Sequence, residues 1–355
     1  MSRARVGSWA PLVAALAAGS AAACARAAGE PPPRWTVTQS ARDLVADPAL
    51  QARIFKALDA ARTAGTDPGI SKFNVRAATV IQQAGIDRVV VGGNTEYRVP
   101  EAIHGETSLM NHVINDVGPD EARRAVGFIA FYGERCGGGG SCGDCRDYLL
   151  ATTRWQDLLM VCGQASDHTV HVDRFAKWIV PEDRFKEVSA EDTAVPAGRL
   201  DDLVRAALEA RAGGVRLFTP PEEHLGVAVL TMGGHVYRAA GADDAAFHYR
   251  YPLGAALQQA ASYRDYFVQA VVVAGQPGRV PRLTYRDRQY GYESSSFNRK
   301  RGLPPIRLIL VEEPAAGGAR RYRSTTFEEA LPGAFSTADF MPDAVDRFLE
   351  SAVRR

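Results

Sequence analysis

Cysteine is scarce, with five in 355 residues. The count is odd, and Cys142 and Cys145 stand in C-x-x-C spacing, which argues for metal ligation or redox chemistry rather than a disulfide framework. Net charge is almost absent: 42 basic against 41 acidic residues leave +1. No global basic field draws the chain to nucleic acid and no acidic tail repels it, so the expected ligand is small. Long apolar runs are lacking beyond the first residues, and the run there is too short and too broken by Gly and Ser to span a membrane. What is present, 46% hydrophobic and 23% charged residues, is the profile of a globular protein long enough for two ordinary domains.

The first residues read as a separate piece. Arg3 and Arg5 precede an alanine-rich run from Val6 to Ala23, and Ala25-Arg26-Ala27 offers a small-x-small cleavage site before a polar, proline-rich stretch. Residues 1–27 are therefore expected to be an export signal and 28–39 a linker. Ala21-Ala22-Ala23-Cys24 loosely resembles a lipoprotein box. The expected location is the periplasm or the exterior, with lipid anchoring as a variant and no transmembrane span in the mature chain. The alternative is a cytoplasmic protein with a disordered leader.

Apolar spacing then sets out the elements. Ser40 to Ala64 is helical, with a break at Asp47-Pro48. Phe73 to Ile81 and Arg88 to Val91 form a hairpin turning near Gly85. A helix starts near His104, a strand runs from Val126 to Tyr132, a second helix starts near Arg146, and Leu158 to Cys162 is a strand. Strand, strand, helix, strand, helix, strand makes an α/β sandwich on a mixed sheet.

The order returns after residue 200, which marks a duplication. Gly226 to Leu230 and His235 to Arg238 repeat the hairpin. Gly254 to Ala261, Val268 to Val273, Tyr285 to Tyr292 and Ile306 to Val311 repeat the helix, strand, helix and strand that come after the hairpin. Domains are expected at 40–195 and 200–350.

In the first copy His104, Cys142 and Cys145 can supply one nitrogen and two sulfurs to a zinc ion, leaving a position for water. Glu106 lies two residues past the histidine, where it can enter the same pocket without being a ligand. A carboxylate beside water activated by zinc is what hydrolytic deamination needs. The second copy has Pro252, Gly254 and Thr284 to Asp287 at these places and is expected to be degenerate, unable to hold zinc in this manner.

His104-Gly105-Glu106 and Cys142-Gly143-Asp144-Cys145 resemble the H-x-E and P-C-x-x-C signature of the cytidine deaminase family. Ser71-Lys72-Phe73-Asn74-Val75 and Gly92-Gly93-Asn94-Thr95-Glu96 resemble two further family segments. The likeness covers about residues 40 to 190 by motif, and reaches about 335 with the degenerate copy. It implies a cytidine-deaminase-like three-layer α/β/α sandwich, Zn2+ as cofactor, a nucleoside as substrate and a homodimer. It also implies Asn94 and Glu96 as sugar ligands, Phe73 as a base-pocket wall and Gly105 at the substrate. Ser141, Gly105 and Tyr97 depart from the usual Pro, Ala and Asn, which leaves free cytosine or a modified nucleoside as alternative substrates. A non-catalytic protein stapled by zinc is the other alternative.

Each remaining feature has a plainer reading. Cys162 reads as a buried small hydrophobe and Cys136 as a loop thiol. Arg146 either steadies the thiolates from behind or pairs with Asp144 and Asp147. Phe73 is either pocket wall or plain core. His112, His168, His171, His224, His235 and His248 have no ligand spacing. Asn298-Arg299-Lys300-Arg301 reads as a solvated loop. Tyr285, Tyr290 and Tyr292 with Arg286 and Arg288 read either as a stacking surface or as an interface between the copies.

Overall fold

The computed structural model describes residues 34–96, 102–133, 136, 140–196, 198–220, 223–243, 249–315 and 318–353. The signal segment 1–27, the start of the linker, Tyr97 and His248 lie outside them.

After a short strand β1 (Thr36–Val37) and a 3-10 turn, Asp47 accepts the amide of Ala49 at 2.9 Å and starts helix α1 (Pro48–Thr63). A side-chain acceptor followed by proline at the first helical position is a stable helix start. Strands β2 (Arg76–Gln83) and β3 (Ile86–Gly93) form the hairpin, turning at Ala84 and Gly85, both at positive φ. Two-residue strands β4 (Thr95–Glu96) and β5 (Ala102–Ile103) pair with each other and lead into helix α2 (Gly105–Val117). Next along the chain are α3 (Pro119–Ala125), β6 (Phe128–Gly133), α4 (Gly143–Thr152), β7 (Leu159–Gln164), β8 (Thr169–Arg174) and β9 (Lys186–Val188).

The second run is α5 (Arg199–Ala212), β10 (Gly226–Thr231), β11 (Val236–Ala240), β12 (Ala242–Asp243), β13 (Tyr249–Arg250), α6 (Pro252–Ser262), β14 (Val268–Ala274), α7 (Tyr285–Lys300), β15 (Arg307–Glu312) and β16 (Arg321–Thr326). Three short helices close the chain: α8 (Phe327–Ala330), α9 (Thr337–Phe340) and α10 (Pro342–Val353).

The strands make two six-stranded sheets in the same order, β3-β2-β6-β7-β8-β1 and β11-β10-β14-β15-β16-β9. In each, the hairpin and its next neighbour are antiparallel, the central pair (β6 with β7, β14 with β15) is parallel, and the next pair is antiparallel. Only the edges differ, β1 joining parallel and β9 antiparallel. The fold is a duplicated α/β/α sandwich on mixed sheets. The chain enters the second sheet at Lys186–Val188, before residue 195, and Thr36–Val37 of the linker joins the first.

Successive strand residues point to opposite faces, and both faces are covered. Ala77 and Ile129 face Leu109, Met110 and Val113 of α2, while Ala78 and Phe128 face Ile54, Leu58 and Ala61 of α1. In the second half Val227 and Val271 face Leu253 and Ala256 of α6, while Ala228 and Val272 face Leu203 and Val204 of α5.

Two expectations are corrected. Cys136 and Cys162 form a disulfide across 26 residues, so Cys162 is not a free core thiol and Cys136 not a free loop thiol. Asn298 to Lys300 end helix α7 rather than form a solvated loop. Asn298 is fully buried and donates to Val268 O at 2.7 Å and Pro304 O at 3.0 Å, while Arg299 pairs with Glu328 and Lys300 with Asp346. Hydrophilic residues whose polar atoms are met inside the protein give no apolar signal in a sequence.

Candidate metal centre

Helices α2 and α4 begin at the same place. His104 is the residue before α2 and Cys142 the residue before α4, both with extended backbone, and Cys145 lies in the first turn of α4. The positive ends of two helix dipoles therefore converge where the sulfurs sit, an arrangement that favours thiolate. His104 Nδ1 lies 3.1 Å from Cys142 Sγ and 3.2 Å from Cys145 Sγ, and the three donor atoms fall within 4.8 Å of one another. Both cysteines are buried and the histidine half-buried. Among the described residues no other group of His, Cys, Asp and Glu comes together in this way.

The polar contacts set the charge of this group. The Cys142 thiol pulls the imidazole up to about 9 against its burial. Cys142 is drawn down by a hydrogen bond from Cys145 and another from His104, while Cys145, the donor in that pair and fully buried, is pushed up. The Thr107 hydroxyl lies 3.8 Å from Cys145 Sγ. One imidazole and two thiols that readily share a proton suit a borderline-soft ion such as zinc.

Glu106 sits in the first turn of α2, buried, and its charge is felt at all three donors. Among the described residues its carboxylate accepts no hydrogen bond, so its lone pairs are open to a ligand. Gly105 packs on Val75: a Cβ there would lie 2.9 Å from Val75 Cγ1 and 3.0 Å from its carbonyl oxygen, so the usual alanine would crowd the strand.

Asn94 and Glu96 are spent on a loop. Asn94 accepts from Val75 N at 2.9 Å and donates to Phe73 O at 2.8 Å. Glu96 accepts from Ile70 N at 2.9 Å, Ser71 N at 2.6 Å and the Ser71 hydroxyl. These bonds hold the Glu96 carboxyl below its usual range although burial alone would raise it. Phe73, on the loop so held, is 44% exposed, which rules out the plain-core reading.

Arg146 is fully buried and forms neither of the pairings expected for it with Asp144 and Asp147. It donates to Ser141 O at 2.7 Å, Trp178 O at 3.0 Å and Pro332 O at 2.7 Å, fixing the carbonyl just before Cys142. Burial lowers its guanidinium to about 10. Asp144 pairs instead with Arg286 at 2.7 Å, and Asp147 accepts the amides of Tyr285 and Arg286 at 3.0 and 2.9 Å. The tyrosine and arginine cluster is thus an interface between the halves: Tyr285 is buried, its hydroxyl accepting from Val180 N, and Arg288 reaches Val180 O and Ala330 O.

The second half keeps the crossing of helix starts without the ligands; Tyr251 precedes α6 as His104 precedes α2 and Leu253 stands where Glu106 does, which corrects the expectation of Pro252 and Gly254 at those places. Thr284 caps α7, and Asp287, fully buried, accepts from Leu253 N at the start of α6 at 3.0 Å. Burial raises this carboxyl to about 7. The Tyr290 ring fills the space beside Gly254. Sequence reasoning missed Thr107 and Gln289, and it offered the tyrosine and arginine cluster as an interface without the partners it meets. Thr107 carries a signal, being one residue past Glu106 in the same first turn. The α7 contacts join residues more than a hundred positions apart and carry none.

No family model matches the chain, and no curated protein matches it. Solved structures do. A cytidine deaminase from Burkholderia pseudomallei is 24% identical, covering 38% of this chain and 98% of its own, with a TM-score of 0.31. One from Mycobacterium tuberculosis is 22% identical over 32% and 85% of the two chains, with a TM-score of 0.23. One from Mycobacterium leprae is 19% identical over 37% and 97%, with a TM-score of 0.26. No helix among the described residues is long and apolar enough to cross a membrane.

Proposed function

We propose that the protein is a zinc-dependent hydrolase that converts cytidine or deoxycytidine to uridine or deoxyuridine with release of ammonia. The observation that carries this is the meeting of His104, Cys142 and Cys145 at two helix starts, with the buried Glu106 carboxylate in the first turn of one of them. Zinc held by those three groups supplies the Lewis acidity that lowers the pKa of water to near neutrality. Glu106 takes one proton of the attacking water and gives it to the ring nitrogen, then takes the remaining proton from the hydroxyl now on the ring carbon and gives it to the amine, which leaves as ammonia as the carbonyl forms. Its unpaired lone pairs and its burial suit that shuttling. Phe73 forms a wall of the base pocket, and Gly105 brings backbone rather than side chain to the base. Arg146 keeps the Ser141 carbonyl, and with it the Cys142 loop, in place.

Free cytosine is the second reading, and one observation favours it. Asn94 and Glu96, the side chains expected to grip a ribose, spend their polar atoms on amides of residues 70–75. In the nucleoside reading they act by holding that loop and Phe73 at the sugar side of the pocket.

Ammonia release from zinc-loaded protein given cytidine, deoxycytidine, cytosine and adenosine tests the proposal. Glu106→Gln should retain zinc and fold while its rate falls by at least about 10²–10⁴. An unchanged rate, or no substrate among the four, would overturn it.

Export is proposed on two grounds, the leader at residues 1–27 and the Cys136–Cys162 disulfide, since such bonds persist in oxidising compartments. A homodimer is proposed from apolar side chains left exposed on the corresponding loops of both halves: Ile70, Phe73 and Ile103 in the first, Val215, Leu217 and Phe218 in the second. Light scattering on the purified protein would show a single-chain mass if that proposal fails.

A further inference from the structure

A helix start leaves its first amides without partners, and the residue before the first turn usually offers its own side chain as acceptor. Cys142 holds that place in α4 and makes no such bond, its sulfur being turned to His104 and Cys145. Thr284 holds the same place in α7, where there is no metal to bind, and does make it: its hydroxyl accepts the amide of Asp287 at 3.0 Å. A ligand at the cap position and a cap at the cap position are competing uses of one side chain.

One of the open amides at the start of α4 is met from the other half. Gln289 Oε1 of α7 accepts the amide of Gly143, the first residue of α4, at 3.2 Å across 146 residues of sequence. Gln289 is itself fixed, its Nε2 donating to Phe335 O at 2.8 Å. The bond has a mate: Asp147, which follows Arg146 as Gln289 follows Arg288, accepts two amides at the start of α7. The approach is so close that a Cβ on Gly143 would run into the Tyr285 carbonyl. Gly140, on the loop entering Cys142, likewise donates to Gly333 O of the second half at 2.8 Å.

We propose that Gln289 is a positioning residue for the metal centre. It accepts the first amide of α4, next to Cys142, and so holds the start of that helix with both sulfurs turned to His104. The half without ligands thereby completes the site of the half that has them. This rests on reading His104, Cys142 and Cys145 as a metal site, and not on the identity of the substrate.

The test is zinc affinity of the full chain by competition with a chromophoric chelator, with the sulfur-to-cobalt charge-transfer absorption of the cobalt-loaded protein as a second readout. Gln289→Ala should weaken zinc roughly tenfold, the scale of losing a group that orients a ligand, and should change the cobalt absorption. Gln289→Glu, which keeps an acceptor for Gly143 but loses the bond to Phe335 O, should recover part of the affinity. Tyr285→Phe is the control for the seam: it removes the hydroxyl that meets Val180 and should lower the unfolding midpoint with zinc affinity and cobalt absorption unchanged. Gln289→Ala with wild-type affinity and absorption overturns the proposal. So does Tyr285→Phe weakening zinc as much as Gln289→Ala. Either result can occur in a protein that deaminates cytidine, and a tenfold effect can appear in one that does not, so the two readings fail separately.

Discussion

Reduction of the Cys136–Cys162 disulfide should destabilise the first half by a calculable amount. The bond ties the stretch after β6 to β7, two strands that are parallel neighbours, and closes a loop of 26 residues. Cross-linking a chain removes loop-closure entropy from its unfolded state, and for a loop of that length the chain-entropy relation gives about 3.5 kcal/mol at 25 °C. The assay is urea unfolding of zinc-loaded protein with and without a phosphine reductant, followed by a signal from the first half such as Trp35 or Trp178 fluorescence. The reductant should lower the midpoint in wild type and leave a Cys136→Ala, Cys162→Ala double variant where it was. Thiol titration of the unfolded, chelator-treated protein should find two more thiols after reduction than before. An unchanged thiol count would refute the disulfide. An unchanged midpoint with two new thiols would refute the energetic argument.

Two other perturbations concern buried charges. Arg146→Met removes three bonds from a charged donor and leaves the Ser141, Trp178 and Pro332 carbonyls unmet by it; a loss on the order of 3–5 kcal/mol is expected in denaturant unfolding, and a loss under about 1 kcal/mol would contradict the role given to it. Asp287 has a carboxyl raised by burial from 3.8 to about 7, so the folded chain holds that proton to higher pH than the unfolded chain does. Its contribution is fully present below about pH 4 and drains away as pH climbs to about 7. Asp287→Asn, which never ionises, should therefore gain stability relative to wild type across that window, and a difference that stays flat with pH would count against the burial argument.

Much of the architecture was legible because both halves rely on period. The hairpins, α2, α6 and the central parallel strands all carry apolar residues at the spacing of two or 3.6 that burial on a sheet demands. The metal centre was legible for another reason. Cys142 and Cys145 are close in sequence because one helix turn must present both, and Glu106 is two residues from His104 because one helix start must present both. What stayed hidden joins distant parts of the chain. Cys136 and Cys162 are 26 residues apart on no motif, Gly143 and Gln289 are 146 apart, and the carbonyls that close around Arg146 and Arg288 come from distant segments. The edge strands β1 and β9 are two and three residues long, below the length at which alternation can be read.

The duplication also separates what the fold requires from what the chemistry adds. Asp243 of β12 stands where Glu96 stands on β4, and it too clamps a loop, accepting from Leu217 N, Phe218 N and Thr219 N at 2.8, 3.0 and 2.9 Å. The second half lacks the three donors and keeps the clamp, so the clamp serves the loop. The same comparison applies where helices meet. Two helix starts that converge bring two positive dipole ends together, and each half answers with acidic side chains, thiols in the first and the Asp287 carboxyl in the second. An acidic, hydrogen-bonded side chain stands at that crossing in both halves. What distinguishes the first half is the histidine, which with the two thiols makes a set of three candidate metal donors, and the unpaired Glu106 beside it. Tyr251 and Leu253 at the matching helix positions supply neither, so the difference between the halves is local to four side chains and leaves the shared scaffold intact.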